Sequence, residues 1–421
     1  MYKEIKKCRI CGNEALAPIL DLGNQYLTGV FPKNKNESIT CGPIELVKCQ
    51  EDEQGSFCGL LQLKQSYDLN EMYGLNYGYR SALNQSMVEH LHRKVRNILE
   101  KVNLESGDVI LDIGSNDSTL LRAYPQKGAT LIGIDPTGEK FGEYYPDHIQ
   151  LVPEFFSARS FKKKFGERKA KIITSIAMFY DIEDPLGFMH EVHEILADDG
   201  TWVFEQSYMP VMLENTAYDT ICHEHLEYYG IRQIKWMTDR VGFKIIDIEF
   251  NDINGGSFSI MAAKSNSAFS ESAYRIDKLL NEEENKGLSS LKPYLEFRRR
   301  VYKHRKELTD CIRNIRAKNK LILGYGASTK GNVILQFCGF TDKDIPFIAE
   351  VNTDKLGCYT PGTYIPIISE EEAKAMHPDY FVVFPWHFKE SFLKKENAYL
   401  ENGGMLLIPL PELEIVTRNI I

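Results

Sequence analysis

Two segments with the order strand, glycine turn, helix, one near residue 112 and one near residue 324, and five cysteines within the first 58 residues predict an α/β chain of three modules. The expected architecture is a small amino-terminal zinc-binding module, a central doubly wound Rossmann-like domain and a carboxyl-terminal Rossmann-like domain. The modules are expected at 1–66, 67–265 and 319–421, with 266–318 as a helical connection.

Composition narrows the functions open to such a chain. The 421 residues carry 50 lysines and arginines against 59 aspartates and glutamates, a net charge of −9, with 43% hydrophobic residues. An acidic chain lacks the basic face that non-specific nucleic-acid binding requires. No apolar run approaches the roughly 18 to 20 residues of a membrane span, and the start, Met1 to Cys8, lacks the apolar core of a signal peptide. A cytoplasmic location is expected, with neither nucleic acid nor membrane as a partner.

In the first module, Cys8-Arg-Ile-Cys11-Gly12 has the two-residue spacing of a zinc knuckle, in which the following glycine lets backbone amides turn toward two thiolates. Cys49 and Cys58, beside the strand-like runs Ile44–Lys48 and Gly59–Leu63, are the expected second pair, with Cys41 competing with Cys49. Four thiolates leave no open coordination position, so the zinc is structural. The acidic insert Glu51-Asp52-Glu53 argues against a nucleic-acid-binding ribbon.

In the central module, Val109 to Ile113 reads as an apolar strand ending at a turn made by Gly114, with Asp112 inside the strand. Asn116 or Asp117 is expected to cap a helix carrying Leu120 and Leu121. Asp135 closes the next strand, where an acid takes two ribose hydroxyls. A single glycine replaces the three of a dinucleotide fingerprint, so no pyrophosphate cradle is evident, and S-adenosylmethionine suits the turn better. Further strands are expected at 148–152, 171–177, 200–204, 243–247 and 257–262, with a helix over 184–196. The ligand then lies at the carboxyl ends of the strands, near Gly114, Asp135, Phe155, Ala177, Glu205 and Gln206.

A dense polar cluster, Tyr218 to Tyr229, follows the fifth strand. Within it Glu224 is expected to orient His225, whose imidazole handles a proton near neutral pH. A metal site at His223-Glu-His225 beside Cys222, or plain aromatic packing, are the other readings of that cluster. Tyr73 to Ser81, with Tyr77, Tyr79 and Asn76, reads as a loop or lid over the same end.

Past a charged helical stretch over 274–315, Gly324-Tyr-Gly326-Ala-Ser328-Thr-Lys330-Gly331-Asn332 forms the second glycine turn. Its amides and Lys330 suit a phosphate at the positive end of a helix. Gly326, Ser328, Lys330 and Asn332, with Glu350 ending the next strand, are the expected substrate-binding residues.

Taken together, these motifs resemble the sugar C-methyltransferases that act on nucleotide-linked deoxyketosugars. The resemblance rests on Cys8-x-x-Cys11 with Cys49 and Cys58, on Asp112-Ile-Gly-Ser-Asn-Asp117, on Glu224-His225 and on the Gly324 to Asn332 turn with Pro361-Gly-Thr-x-Ile-Pro366. It implies an S-adenosylmethionine-dependent methyltransferase with structural zinc and a nucleotide-linked sugar substrate. His225 would be the general base, with Tyr79 or Tyr77 donating to an enolate oxygen. Relative to that family, Ser118 stands where glycine is usual and Tyr180-Asp181 where a histidine is expected. Two alternatives remain open: an O-methyltransferase using the same base, and a non-catalytic NAD- or zinc-binding interaction protein.

Overall fold

The computed structural model describes residues 2–51, 57–73, 77–125 and 128–418. Asp52 and Glu53 of the acidic insert and Asn76 of the aromatic loop lie outside the described residues. Among the described residues, no helix is long and apolar enough to cross a membrane.

The amino-terminal sheet is antiparallel, built from β1 (Leu16–Tyr26), β2 (Cys41–Cys49) and β3 (Leu61–Leu63). Its fourth strand comes from far along the chain: Glu227–Tyr228 pairs with β3, Glu227 opposite Gln62 and Tyr228 opposite Leu61. The residues just after His225 are thereby fixed to the metal module.

The central sheet contains β4 (Val109–Ile113), β5 (Thr130–Ile134), β6 (Ile149–Val152), β7 (Ala170–Ile176), β8 (Leu196–Ser207), β9 (Phe243–Asn251) and β10 (Ser257–Lys264). They are ordered β9-β10-β8-β7-β4-β5-β6, with β10 antiparallel to both neighbours. β4 is fully buried, as a near-continuous apolar run between two helical layers must be. Helix α1 (Gln85–Leu99) covers one face through Met87, Leu91, Val95 and Ile98, spaced three or four apart so that they share one side. Helix α2 (Pro185–Ile195) covers the other, its start capped by Asp184 with proline in the first turn. The order reverses between β4 and β7, which opens a crevice at their carboxyl ends.

After β10, helices α3 (Ala273–Asn285) and α4 (Lys292–Ala317) lead to the last sheet. α4 buries Phe297, Val301, Leu308, Ile312 and Ile315 in one core shared by the amino-terminal and carboxyl-terminal sheets. That sheet runs β13-β12-β11-β14-β15-β16, from β11 (Ile322–Tyr325), β12 (Ile348–Glu350), β13 (Ile367–Ser369), β14 (Tyr380–Val383), β15 (Met405–Ile408) and β16 (Glu414–Val416). All pairings are parallel except β15 with β16. Helix α5 (Thr329–Cys338) follows the second glycine turn. Both sheets have the mixed α/β, Rossmann-like form expected from the sequence.

One expected element is absent. The segment after Gly114 forms only a short 3-10 turn, Leu121–Ala123, instead of a helix carrying Leu120 and Leu121. Asn116 and Ser118 both have positive φ, 49° and 62°, which prevents the chain from entering a helix there.

Candidate active site

At the crevice, Gly114 has φ of 74°, and a Cβ there would stand 3.1 Å from Met178. Ala177, at the end of β7, is also left-handed, at 54°. Both strand ends thus expose backbone to whatever occupies the crevice. Asp135 fixes the turn: Oδ2 accepts from the Asn116 amide at 2.7 Å and Oδ1 from the Thr137 amide at 2.7 Å. The Thr137 hydroxyl also donates to Oδ1, at 2.5 Å, so of a carboxylate's roughly four acceptor sites one remains for a ligand hydroxyl. Asp112 is buried and accepts from Thr174 Oγ1 at 2.6 Å; burial, with the Asp135 charge adding, pushes its carboxyl up to about 7. Phe155, past β6, is 42% exposed.

Asn116 and Asp117 do not cap a helix. They hold the aromatic loop instead: Asn116 Oδ1 accepts from the Ser81 amide at 3.0 Å, its Nδ2 donates to the Tyr79 carbonyl at 3.2 Å, and Asp117 accepts from the Ala82 amide at 2.9 Å. The same loop reaches both neighbouring units. Lys140 donates to the Tyr77 carbonyl at 2.8 Å, and Asn352, just past β12, to the Gly78 carbonyl at 3.5 Å. Desolvation raises the Tyr77 phenol well above its usual value, and Tyr79 is 46% exposed with its phenol also raised, so both stay protonated donors at neutral pH.

His225 Nδ1 lies 2.7 Å from the Thr220 carbonyl and donates to it, leaving Nε2 as the atom with a free lone pair. Glu224 is not its partner, contrary to expectation: the Glu224 carboxyl points to Thr28 Oγ1, 3.5 Å away. Tyr180 packs edge-on against the imidazole at 4.3 Å. Burial pushes His225 down to about 4, and the Lys330 ammonium adds to that. His223 instead donates to the Gln25 carbonyl, at 3.1 Å. Among the described residues the only grouping suited to a metal is the cysteine cluster, so His223 and His225 do not form the metal site considered above.

That cluster contains Cys8, Cys11, Cys49 and Cys58, with all four Sγ atoms within 4.8 Å of one another. Cys8 and Cys58 are 3.4 Å apart and Cys11 and Cys49 3.5 Å. Cys41 is exposed at the far end of β2, so Cys49 is the member that fits a four-thiolate zinc site.

In the last sheet, Gly326 has φ of 87°, and a Cβ there would meet Pro385 at 2.5 Å. The Ser328 hydroxyl caps α5, accepting from the Gly331 amide at 3.0 Å. Lys330 faces the central domain: Nζ donates to the Asn254 carbonyl at 2.7 Å, and its charge is felt by His225 and by Asp219. Glu350 braces the turn, accepting from the Ala327 amide at 2.8 Å and from the Asn352 amide at 2.9 Å. Asn332 is only 1% exposed and its Nδ2 donates to the Thr28 carbonyl at 2.8 Å, which positions α5.

Sequence reasoning missed several members of the site. Asp181 accepts from the Tyr73 hydroxyl at 2.6 Å, and burial pushes its carboxyl well above the usual range. Asp219 accepts from the Trp386 indole at 2.7 Å. Thr220 acts through its carbonyl, which no residue type reveals.

Three families match in series: residues 8–73 a zinc binding domain, 87–248 a methyltransferase domain and 252–411 a C-methyltransferase C-terminal domain. Over 423 aligned residues the chain is 28% identical to the C-methyltransferase NovU of Streptomyces niveus, covering 100% of this chain and 99% of that protein. Among solved structures, the complex of the Haloferax volcanii Trm112 methyltransferase activator with a methyltransferase matches 44% of this chain and 94% of the other, at TM-score 0.36 and 15% identity. The Burkholderia thailandensis 1,6-didemethyltoxoflavin-N1-methyltransferase matches 44% and 81%, at 0.34 and 10%.

Proposed function

We propose that this chain, whose segments match zinc-binding, methyltransferase and C-methyltransferase C-terminal domains, is an S-adenosylmethionine-dependent C-methyltransferase that methylates a carbon beside the ketone of a nucleotide-linked sugar, with His225 as the general base. The observation that carries this reading is the hydrogen bond from His225 Nδ1 to the Thr220 carbonyl, because it commits one ring nitrogen and leaves Nε2 to take a proton.

Gly114, Ala177 and Asp135 hold the cofactor, which when bound supplies the activated methyl group. A ketone acidifies the adjacent C–H, and His225 removes that proton. Burial opposes an isolated imidazolium, which is why the free enzyme holds His225 near 4. The proton transfer creates no isolated charge: an enolate forms beside the imidazolium, and the pair offset each other's desolvation. Tyr79 or Tyr77, both protonated donors, steadies the enolate oxygen. Gly326, Ser328 and Lys330 take the phosphates at the amino-terminal end of α5, where helix polarity and two remaining lysine protons favour an anion. The four cysteines hold zinc in a structural role.

Incubation with methyl-13C S-adenosylmethionine and a panel of nucleotide-linked ketosugars tests the proposal. A product methyl coupled to carbon in the NMR spectrum supports it; a methyl on oxygen, or no transfer to any ketosugar, overturns it.

A further inference from the structure

A cavity of about 330 Å³ lies between α1, the end of β9 and the start of α3. Its floor is a buried polar constellation that the methyl-transfer reading leaves unused. Glu205, at the end of β8, meets His90 Nε2 at 2.6 Å and Lys94 Nζ at 3.0 Å, and Lys94 also reaches Glu249 at 3.0 Å. Asn251 donates to Glu205 at 2.9 Å. The side chains of His90, Lys94 and Glu205 are each no more than 4% exposed. Burying such groups is costly unless all are partnered, and here they are, which makes the floor rigid. Burial works against the Glu205 carboxylate, yet His90 and Lys94 outweigh it and hold the group ionised.

The walls have a different character. Among the described residues, Arg93 makes one hydrogen bond, from its guanidinium to His90 Nδ1 at 3.2 Å, and has no carboxylate partner. Arg275, on α3, lines the same cavity and has no hydrogen-bond or ion-pair partner among the described residues. Two guanidiniums therefore face one cavity, and the carboxylate in its lining, Glu249, is held by Lys94 and Asn97 instead of by either of them. Phe250 also lines the cavity, 41% exposed, with its ring packed on Tyr208 at 5.0 Å. Planar guanidinium forks match phosphate oxygens in pairs, and an open aromatic ring offers a surface for the attached organic group. The volume is at the low end for small-molecule sites. It suits a molecule the size of a sugar phosphate or nucleoside monophosphate.

We propose that this cavity binds the phosphate monoester of a small organic molecule through Arg93 and Arg275, with the organic group against Phe250. The site is separate from the phosphate-binding role given to Lys330 and does not depend on it.

Isothermal titration of the full chain with uridine 5′-monophosphate, glucose 1-phosphate, uridine and inorganic phosphate tests this. At least one phosphate monoester binds the wild type more tightly than inorganic phosphate does, and uridine does not bind. Affinity falls ten-fold or more in the R93A/R275A double variant. Both arginines are exposed, and an unchanged melting temperature of R93A/R275A confirms that its fold is intact. No binding of either monoester at millimolar concentration overturns the proposal. So does equal binding of inorganic phosphate, which marks an adventitious ion only, or full affinity in R93A/R275A.

Discussion

The indole nitrogen of Trp386 donates to Oδ2 of Asp219 at 2.7 Å, with both residues buried. Trp386 follows the last central strand of the carboxyl-terminal sheet, and Asp219 lies six residues before His225. One hydrogen bond therefore ties the sheet proposed to hold the phosphates to the loop proposed to hold the base. Lys330, on α5 of the same domain, sits close enough to lower His225 and to offset part of the burial that raises the Asp219 carboxyl.

Removing that bond should loosen the cleft without touching the cofactor. Asp219 Oδ1 already lacks a partner, so Trp386→Phe leaves a buried carboxylate with still less support. The expected cost is about 1 to 3 kcal/mol in urea unfolding. KM for the acceptor should rise while S-adenosylmethionine affinity stays within two-fold. An unchanged KM would separate Trp386 from the acceptor site.

His225 must be neutral to accept a proton, and its free-enzyme value is about 4 against an ordinary 6.5. kcat/KM should therefore show no His225 limb near pH 6.5, the limb falling instead near pH 4. Lys330 contributes part of the depression, so Lys330→Met should move that limb upward. A limb at pH 6.5 in the wild type, unmoved in the variant, would contradict the assignment.

Zinc is expected at about one ion per chain by metal analysis, because four thiolates complete one tetrahedral site. Cys49→Ser should lose it and melt at a lower temperature. Cys41→Ser should keep both the metal and the melting temperature, since Cys41 is exposed and apart from the cluster. Loss of metal in both variants would place Cys41 in the site.

Much of this arrangement could be read from the residues, because some functions demand particular chemistry at particular spacing. Cys8 and Cys11 announce a knuckle, Gly114 and Asp135 a strand-end ligand site, and Gly326 with Lys330 a helix start suited to an anion. Roles carried by the backbone were invisible. The Thr220 carbonyl replaces Glu224 as the partner of His225, and left-handed Asn116 and Ser118 turn an expected helix into a short turn. Contacts between distant segments were equally hidden: Glu227 pairs with Gln62, and Asn332 is spent on Thr28. These depend on how the sheets meet, and no local pattern encodes that.

The most direct test follows the proton that His225 is proposed to take. A nucleotide-linked ketosugar that serves as acceptor is held in deuterium oxide with the enzyme and S-adenosylhomocysteine, and exchange beside the ketone is read by NMR. The wild type should exchange that hydrogen, and His225→Gln should slow exchange at least about 100-fold, the usual contribution of a positioned base. Exchange by His225→Gln at the wild-type rate would contradict the account.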